Sequence, residues 1–370
     1  MLQCLPCDMS TRSSLVRTLV SATLAVAMVS SVSLVSPAYA ADALDPLGTL
    51  DPDAPTSSSP SATQPPTVSI PVRTVDTPGR GGQNGTIVMR VGRSAPIRVI
   101  IDTGFSGLVL FPGAWDRKPA QVRQSDNRVS LDTQTLGKVR GLRAGAPMTF
   151  NGVTTTTNIP FITATGSNPY LRQWTNQGVY GLLGVGTKGE GFVNPFSALP
   201  GVLGLRWSIH FQRTRTGASA RRGEIVLGAE PPLQSTMSLD MPYVGQDANG
   251  ALLWDDQSTP GCWTFGKRPE VCLPTQLDAA FNITRVRGAR FRTLKTNSDG
   301  NLRRGTEVTW AEPGSAFAGI SYRAGNRPSV NLTRVIPSGR ARIIVGNELY
   351  FDNIVTYNTI TGNVYISNPR

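Results

Sequence analysis

The chain has 370 residues, 39% of them hydrophobic and 16% charged, enough to bury the cores of two ordinary domains or one large β unit. Its single histidine, His210, excludes His-rich metal sites, and with no G-x-S-x-G elbow to receive it, Ser-His-Asp and Cys-His chemistries find no support. The net charge of +12 clusters only in RTRTGASARR at 213–222 and aromatics make up 7%, which reads as a solvated surface and not a nucleic-acid face.

The chain opens on an export signal. Arg12 and Arg17 precede an apolar run through Leu19, Ala25, Val29 and Val35, and Ala38-Tyr39-Ala40 supplies a small-x-small cleavage pattern. Residues 1–40 are therefore expected to be a signal peptide cut after Ala40, with a secreted or periplasmic mature chain. No later stretch approaches the ~20 apolar residues that span a bilayer, so no stable membrane span is expected. Cleavage removes Cys4 and Cys7 and leaves Cys262 and Cys272, which read as one disulfide contributing about 2–3 kcal/mol. With Cys4-x-x-Cys7 removed, the mature chain offers no CxxC and no companion ligands, so neither a metal nor a cofactor is expected. Residues 41–66, rich in Pro, Ser, Thr and Asp, read as a disordered spacer.

From Thr67 the pattern changes to short alternating segments: TVSIPV, GTIVMRV, PIRVIID, GLVLF, PMTF, NIPFIT and GEIVLG. Turn signals such as Asn151-Gly152 fall between them, as an all-β domain requires. A short helix is expected near Pro195 to Val202. His210, in the alternating run RWSIHFQ, reads as structural. The second half repeats the style in LDMPYV, GALLW, TRVRGARFRTL, TEVTWA, GISYR, RIIVG, NIVTYN and NVYIS. Tyr180 and Trp174 read as core or rim aromatics. The N-I-T at 282 and N-L-T at 331 match glycosylation acceptors but receive no role.

In VIIDTGFSGLVLF, at 99–111, Asp102 stands between two apolar runs, where an ionised carboxylate is costly without partners. A tight turn is one explanation; a catalytic carboxylate at a strand end is another. A long-range repeat bears on the choice. Asp102-Thr103-Gly104-Phe105-Ser106 lines up with Asp278-Ala279-Ala280-Phe281-Asn282, and Leu182-Leu183-Gly184 lines up with Ile344-Val345-Gly346. Two halves, each with an Asp loop and a later glycine strand, suggest internal duplication.

With these motifs in order, the chain from residue 67 onward resembles the bilobal pepsin-like aspartic proteases. IIDTGFSGLVL is similar to the first active-site loop, and GKVRGLRAGAPMTFNGV to the strands after the flap. GVYGLLGVG matches the first hydrophobic-hydrophobic-glycine element. NPFSALPGVLGLRWSIHFQ with RRGEIVLGAEPP resembles the close of the first lobe, and ARIIVGNELYFDNIVTYNTITGNVYIS the C-terminal element and hairpin. Cys262 and Cys272 stand where relatives carry a small disulfide loop. The resemblance implies an all-β fold of two duplicated lobes, 67–235 and 236–370, with a cleft between them and few short helices.

The resemblance also implies a function: an endopeptidase acting at acidic pH on protein or peptide substrates, as a monomer. Asp102 and Asp278 would share one proton and activate a water between them. Thr103 would hydrogen-bond across to the other loop, the Gly104 N–H would steady Asp102, and Leu183-Gly184 and Val345-Gly346 would pack beneath the loops. The chain departs from the family pattern at four positions. Ala279 replaces a hydroxyl residue, Ala280 a glycine, and Phe105 a small hydroxyl residue, while Gln134 stands at the flap position that usually carries Tyr. These departures motivate the alternative of a catalytically impaired peptide-binding or scaffold protein. A single active lobe completed by dimerisation is a third reading, which IIVGNELYF argues against.

Overall fold

The computed structural model describes residues 66–369 except 80, 116–118, 167, 190, 214–222, 248, 316–318 and 326–330. The expected signal peptide with Cys4 and Cys7, the spacer up to residue 65 and the basic cluster beyond Arg213 lie outside the described residues.

Alternation of apolar and polar residues sets the strands, as a period of two requires. Among the described residues they form a fifteen-stranded sheet, a seven-stranded sheet and a two-stranded one. In the first, Ile97–Asp102, Gly181–Val185 and Ser106–Leu110 are the near-continuously apolar centre. Successive residues there feed two cores: Val99, Ile101 and Leu183 join the larger, while Ile100, Val109 and Leu182 join the smaller. Buried on both faces, such strands need no polar positions.

The same unit occurs twice. Gly181–Val185 lies parallel to Ile97–Asp102, with Gly184 opposite Asp102, and antiparallel to Ser106–Leu110. In the seven-stranded sheet, Arg342–Val345 lies parallel to Val271–Leu277 and antiparallel to Thr284–Arg287. Each Asp loop therefore links two strands that embrace a third, which carries Gly184 in the first half and runs into Gly346 in the second. The disulfide Cys262–Cys272 joins facing residues of Thr259–Phe265 and Val271–Leu277, the hairpin whose second strand runs into Asp278.

The two halves are tied by strand exchange. The C-terminal hairpin Ile354–Asn358 and Asn363–Ser367 pairs onto Arg206–His210 of the first half, with Trp207 stacked on Tyr357 at 5.6 Å. His210, at the end of that strand, lies 3.1 Å from the Asn353 carbonyl through Nδ1, a structural contact.

Helices are few and short. Pro169–Thr175 starts where the Asn168 side chain accepts from the Tyr170 N–H and Pro169 takes the first turn, and it buries Leu171 and Trp174. The expected helix near 195–202 is instead two 3-10 turns, Pro195–Ala198 and Gly201–Gly204. Pro200 disfavours helical geometry at Leu199, which is extended with φ −74° and ψ 153°. No helix among the described residues is long and apolar enough to cross a membrane.

Candidate active site

Asp102 ends one core strand and Asp278 follows another, so the duplicated units deliver the two carboxyls to one place. Asp102 is 2% exposed and Asp278 is 0% exposed. The two side chains meet at Gly104 of the first loop. Gly104 looks onto both: a Cβ there would sit 3.0 Å from Asp278 Oδ2 and 3.1 Å from Asp102 Oδ1. A methyl there would press on both carboxyls, which would have to give by a few tenths of an ångström.

The backbone following each acid turns back to hold it. The Gly104 N–H donates to Asp102 Oδ1 at 2.7 Å, as expected, and the Ala280 N–H donates to Asp278 Oδ1 at 3.1 Å. Asp278 Oδ2 is buried with no other hydrogen-bonding group on it. That oxygen is satisfied when a proton lies between the carboxyls.

Thr103 bonds across the loops. Its hydroxyl donates to the Leu277 carbonyl at 3.0 Å and accepts from the Ala279 N–H at 3.0 Å. Ala279 cannot return a matching hydroxyl bond. Instead Tyr350 OH lies 2.8 Å from Thr103 Oγ1 and 2.8 Å from Tyr357 OH. Because a carbonyl only accepts, the single Thr103 proton goes to Leu277, so Tyr350 donates to Thr103 and Tyr357 donates to Tyr350. The second loop has further anchors: Asn84 Nδ2 donates to the Ala280 carbonyl at 2.9 Å, and the Asn347 N–H to the Phe281 carbonyl at 2.7 Å.

The glycine strands pack where expected. A Cβ on Gly184 would meet the Phe105 ring and carbonyl at 2.6 Å, and one on Gly346 would meet the Phe281 carbonyl at 2.6 Å. Phe105 is buried in an apolar cluster with Leu136, Val139 and Ala280. The Ala280 methyl, which replaces the family's glycine, is buried in that cluster.

Gln134 sits at the tip of the hairpin formed by Arg123–Thr133 and Gly137–Ala146. The turn closes with Gly137 at φ 68°, in the left-handed region that glycine tolerates. Gln134 Nε2 donates to Gln276 Oε1 at 2.8 Å, and Gln276 Nε2 donates to the Gly104 carbonyl at 3.1 Å. Next to it, Thr135 Oγ1 donates to Asp102 Oδ2 at 3.0 Å. The hairpin tip thus lies on the carboxyl pair.

Sequence reasoning reached Asp102, Asp278, Thr103, Gly104, Gly184, Gly346 and Gln134, and the fold brings all of them to this site. It missed Thr135, Gln276, Asn84, Tyr350 and Tyr357. Thr135 is adjacent to the flap residue in TQT, and Gln276 is two residues before Asp278, so both lay within reach of a search around the motifs. The tyrosines carry no local signal.

Burial is the main influence on both acids. It pushes Asp102 up to about 6 against the Gly104 N–H, the Thr135 hydroxyl and Asp278. It also pushes Asp278 up, aided by the Asp102 charge and opposed by the Ala280 N–H, Arg285 and the Phe281 N–H. Two carboxyls so close do not both ionise; they hold one proton jointly, giving an acid and a base side by side. Among the described residues, Cys262, Glu270 and Cys272 are the one group of potential metal ligands within 4.8 Å of one another, and the disulfide occupies both sulfurs.

No protein-family model matches the sequence, and no curated protein matches it. Among solved structures, the fold is similar to that in the crystal structure of aspartic proteinase from Irpex lacteus, with a TM-score of 0.54 and 14% identity over 82% of this chain and 97% of that one. The all-β, bilobal pepsin-like fold expected from the motifs is the fold of this chain.

Proposed function

We propose that the chain is an exported aspartic endopeptidase in which Asp102 and Asp278 activate a water for attack on a peptide bond. One observation carries the reading: two buried carboxyls on duplicated loops, both lying against Gly104 and both raised by burial. The ionised member would take a proton from the water while the protonated member donates to the peptide carbonyl. Thr103, Gly104, Gly184 and Gly346 would hold the pair, and Gln134 would cover the substrate. The lobes, residues 67–235 and 236–370, would each contribute one acid. One chain supplying both supports a monomer over a dimer. The pair must hold one proton, so activity is expected to fall where acid adds a second proton and where base removes the last.

The test is hydrolysis of a denatured protein between pH 3 and 7 by the mature chain. Pepstatin-sensitive cleavage, lost in Asp102→Asn and in Asp278→Asn, is the expected result. Cleavage unchanged in either variant would overturn the assignment. The second reading, an impaired peptide-binding protein, draws on Ala279, Ala280 and the hairpin tip covering the pair. Peptide binding by the wild type without turnover would select it.

A further inference from the structure

We propose that Thr135 is a positioning residue of the free enzyme, a hydroxyl latch that holds the flap shut on ionised Asp102 and that substrate must displace. The inference rests on the endopeptidase reading for its catalytic consequence, while the latch itself is a property of the fold.

Access is the first observation. Asp102 at 2% and Asp278 at 0% exposure are closed to solvent with the hairpin tip bonded onto Asp102. Two side-chain bonds hold that tip down, Thr135 to Asp102 at 3.0 Å and Gln134 to Gln276 at 2.8 Å. Leu136 and Val139 pack beside them against Phe105.

Asymmetry is the second. Phe105 and Phe281 occupy matching places in the two loops, so neither loop brings a hydroxyl to its own acid. Asp102 still has a donor on each oxygen, the Gly104 N–H and the Thr135 hydroxyl. Asp278 has the Ala280 N–H on Oδ1 and only the shared proton for Oδ2. The anion therefore belongs on Asp102 and the proton on Asp278 whenever the flap is down.

A hydroxyl donates more strongly to a carboxylate than to a neutral carboxyl. Closure therefore favours the Asp102 anion, and by linkage the anion favours closure. Protonating Asp102 weakens the latch, so acid loosens the flap. The groups facing this bond are few. Asp278 faces Asp102 directly, and Arg285, Tyr350 and Tyr357 act on the pair from behind Asp278 and Thr103. On the flap, the charged residues nearest the tip, Asp132 and Lys138, face each other across the stem. The pair's own charge is thus the group that the tip senses.

The experiment has two arms on the full mature chain. In the first, amide hydrogen exchange over residues 131–139, corrected for intrinsic rates, is followed from pH 7 to pH 3 without substrate. Wild type should be protected at pH 7 and lose about tenfold in protection in acid. Thr135→Val and Asp102→Asn should exchange fast throughout, and Thr135→Ser should restore the wild-type profile. In the second arm, the pH dependence of kcat/KM, which reports the free enzyme, is compared with that of kcat, which reports the substrate-bound form. In Thr135→Val the acid limb of kcat/KM should rise by about one pH unit, while the acid limb of kcat keeps its position. Flap protection that is independent of pH, or equal in Thr135→Val and wild type, would overturn the latch. A wild type that shows the exchange pattern but cleaves nothing would leave the latch standing and remove the peptidase reading.

Discussion

The chain Tyr357 to Tyr350 to Thr103 to the Leu277 carbonyl substitutes for the hydroxyl that Ala279 lacks, and it predicts a specific non-additivity. Tyr350 and Tyr357 are 0% and 1% exposed, so neither hydroxyl finds water. Tyr350→Phe removes the donor to Thr103 and strands the Tyr357 hydroxyl, a buried donor left unpaired. That should cost about 1–3 kcal/mol. Tyr357→Phe removes only a bond that Tyr350 accepts and leaves the donation to Thr103 intact, for about 0.5–1.5 kcal/mol. In the double variant no hydroxyl is stranded, so it should cost less than the two single changes together, with a coupling of about 1 kcal/mol. Equilibrium urea unfolding measures this, followed by both tryptophan fluorescence and far-ultraviolet circular dichroism, whose transitions must coincide for the free energies to be compared. Additive costs, or a Tyr350→Phe protein as stable as wild type, would refute both the assigned proton directions and the substitution for residue 279.

Two further outcomes follow from the same site. Burial raises both acids above their unfolded value of 3.8, so the native pair binds more protons than the unfolded chain does. The stability tied to these protons is full below pH 4 and is lost as pH rises from there, the Asp102 share being gone above about 6. Asp278→Asn should therefore raise the melting temperature at pH 7 relative to wild type and lose that advantage by pH 3; an equal difference at both pH values would contradict the linkage. Gly346→Ala places a methyl 2.6 Å from the Phe281 carbonyl and should cost about 1–3 kcal/mol in denaturant unfolding. Gly145→Ala, whose new methyl would be 3.8 Å from the nearest atom, should be close to neutral.

The parts of this molecule legible in its sequence are those whose cause is local. Alternation gives strands because side chains in a strand change face at every residue, and IIDTG with LLG, repeated as LDAAF with IVG, marks two loops over two glycine strands. Gly104 could be read because its N–H serves an acid two residues away. The short helix near 195–202 was misread because Pro200 acts on Leu199 and divides the segment into two turns. Thr135 and Gln276 act on backbone or carboxyl groups 33 and 172 residues away, distances that no motif spans.

Ala279 shows why a departure from a motif is weak evidence of decay. Taken alone, DAAFN has lost the hydroxyl that should tie its loop to DTGFS. In the fold, what those loops require is that Thr103 be held on both sides, and that requirement is met by Ala279's own N–H and by Tyr350, a residue 247 positions from Thr103. The methyl that stands at 279 is apolar and fully buried, so it strands no polar group, which makes the exchange of one hydroxyl for a more distant one inexpensive. Phe105 and Phe281 follow the same logic on the other face of the acids: the hydroxyl missing from the first loop reaches Asp102 from the flap, through Thr135. The pair is therefore held by contacts from a third and a fourth segment, and one of those segments is a hairpin tip bonded to Asp102 itself. On the proposed latch, that relocation would couple the charge state of the site to its opening, which a hydroxyl fixed within the loop could not do.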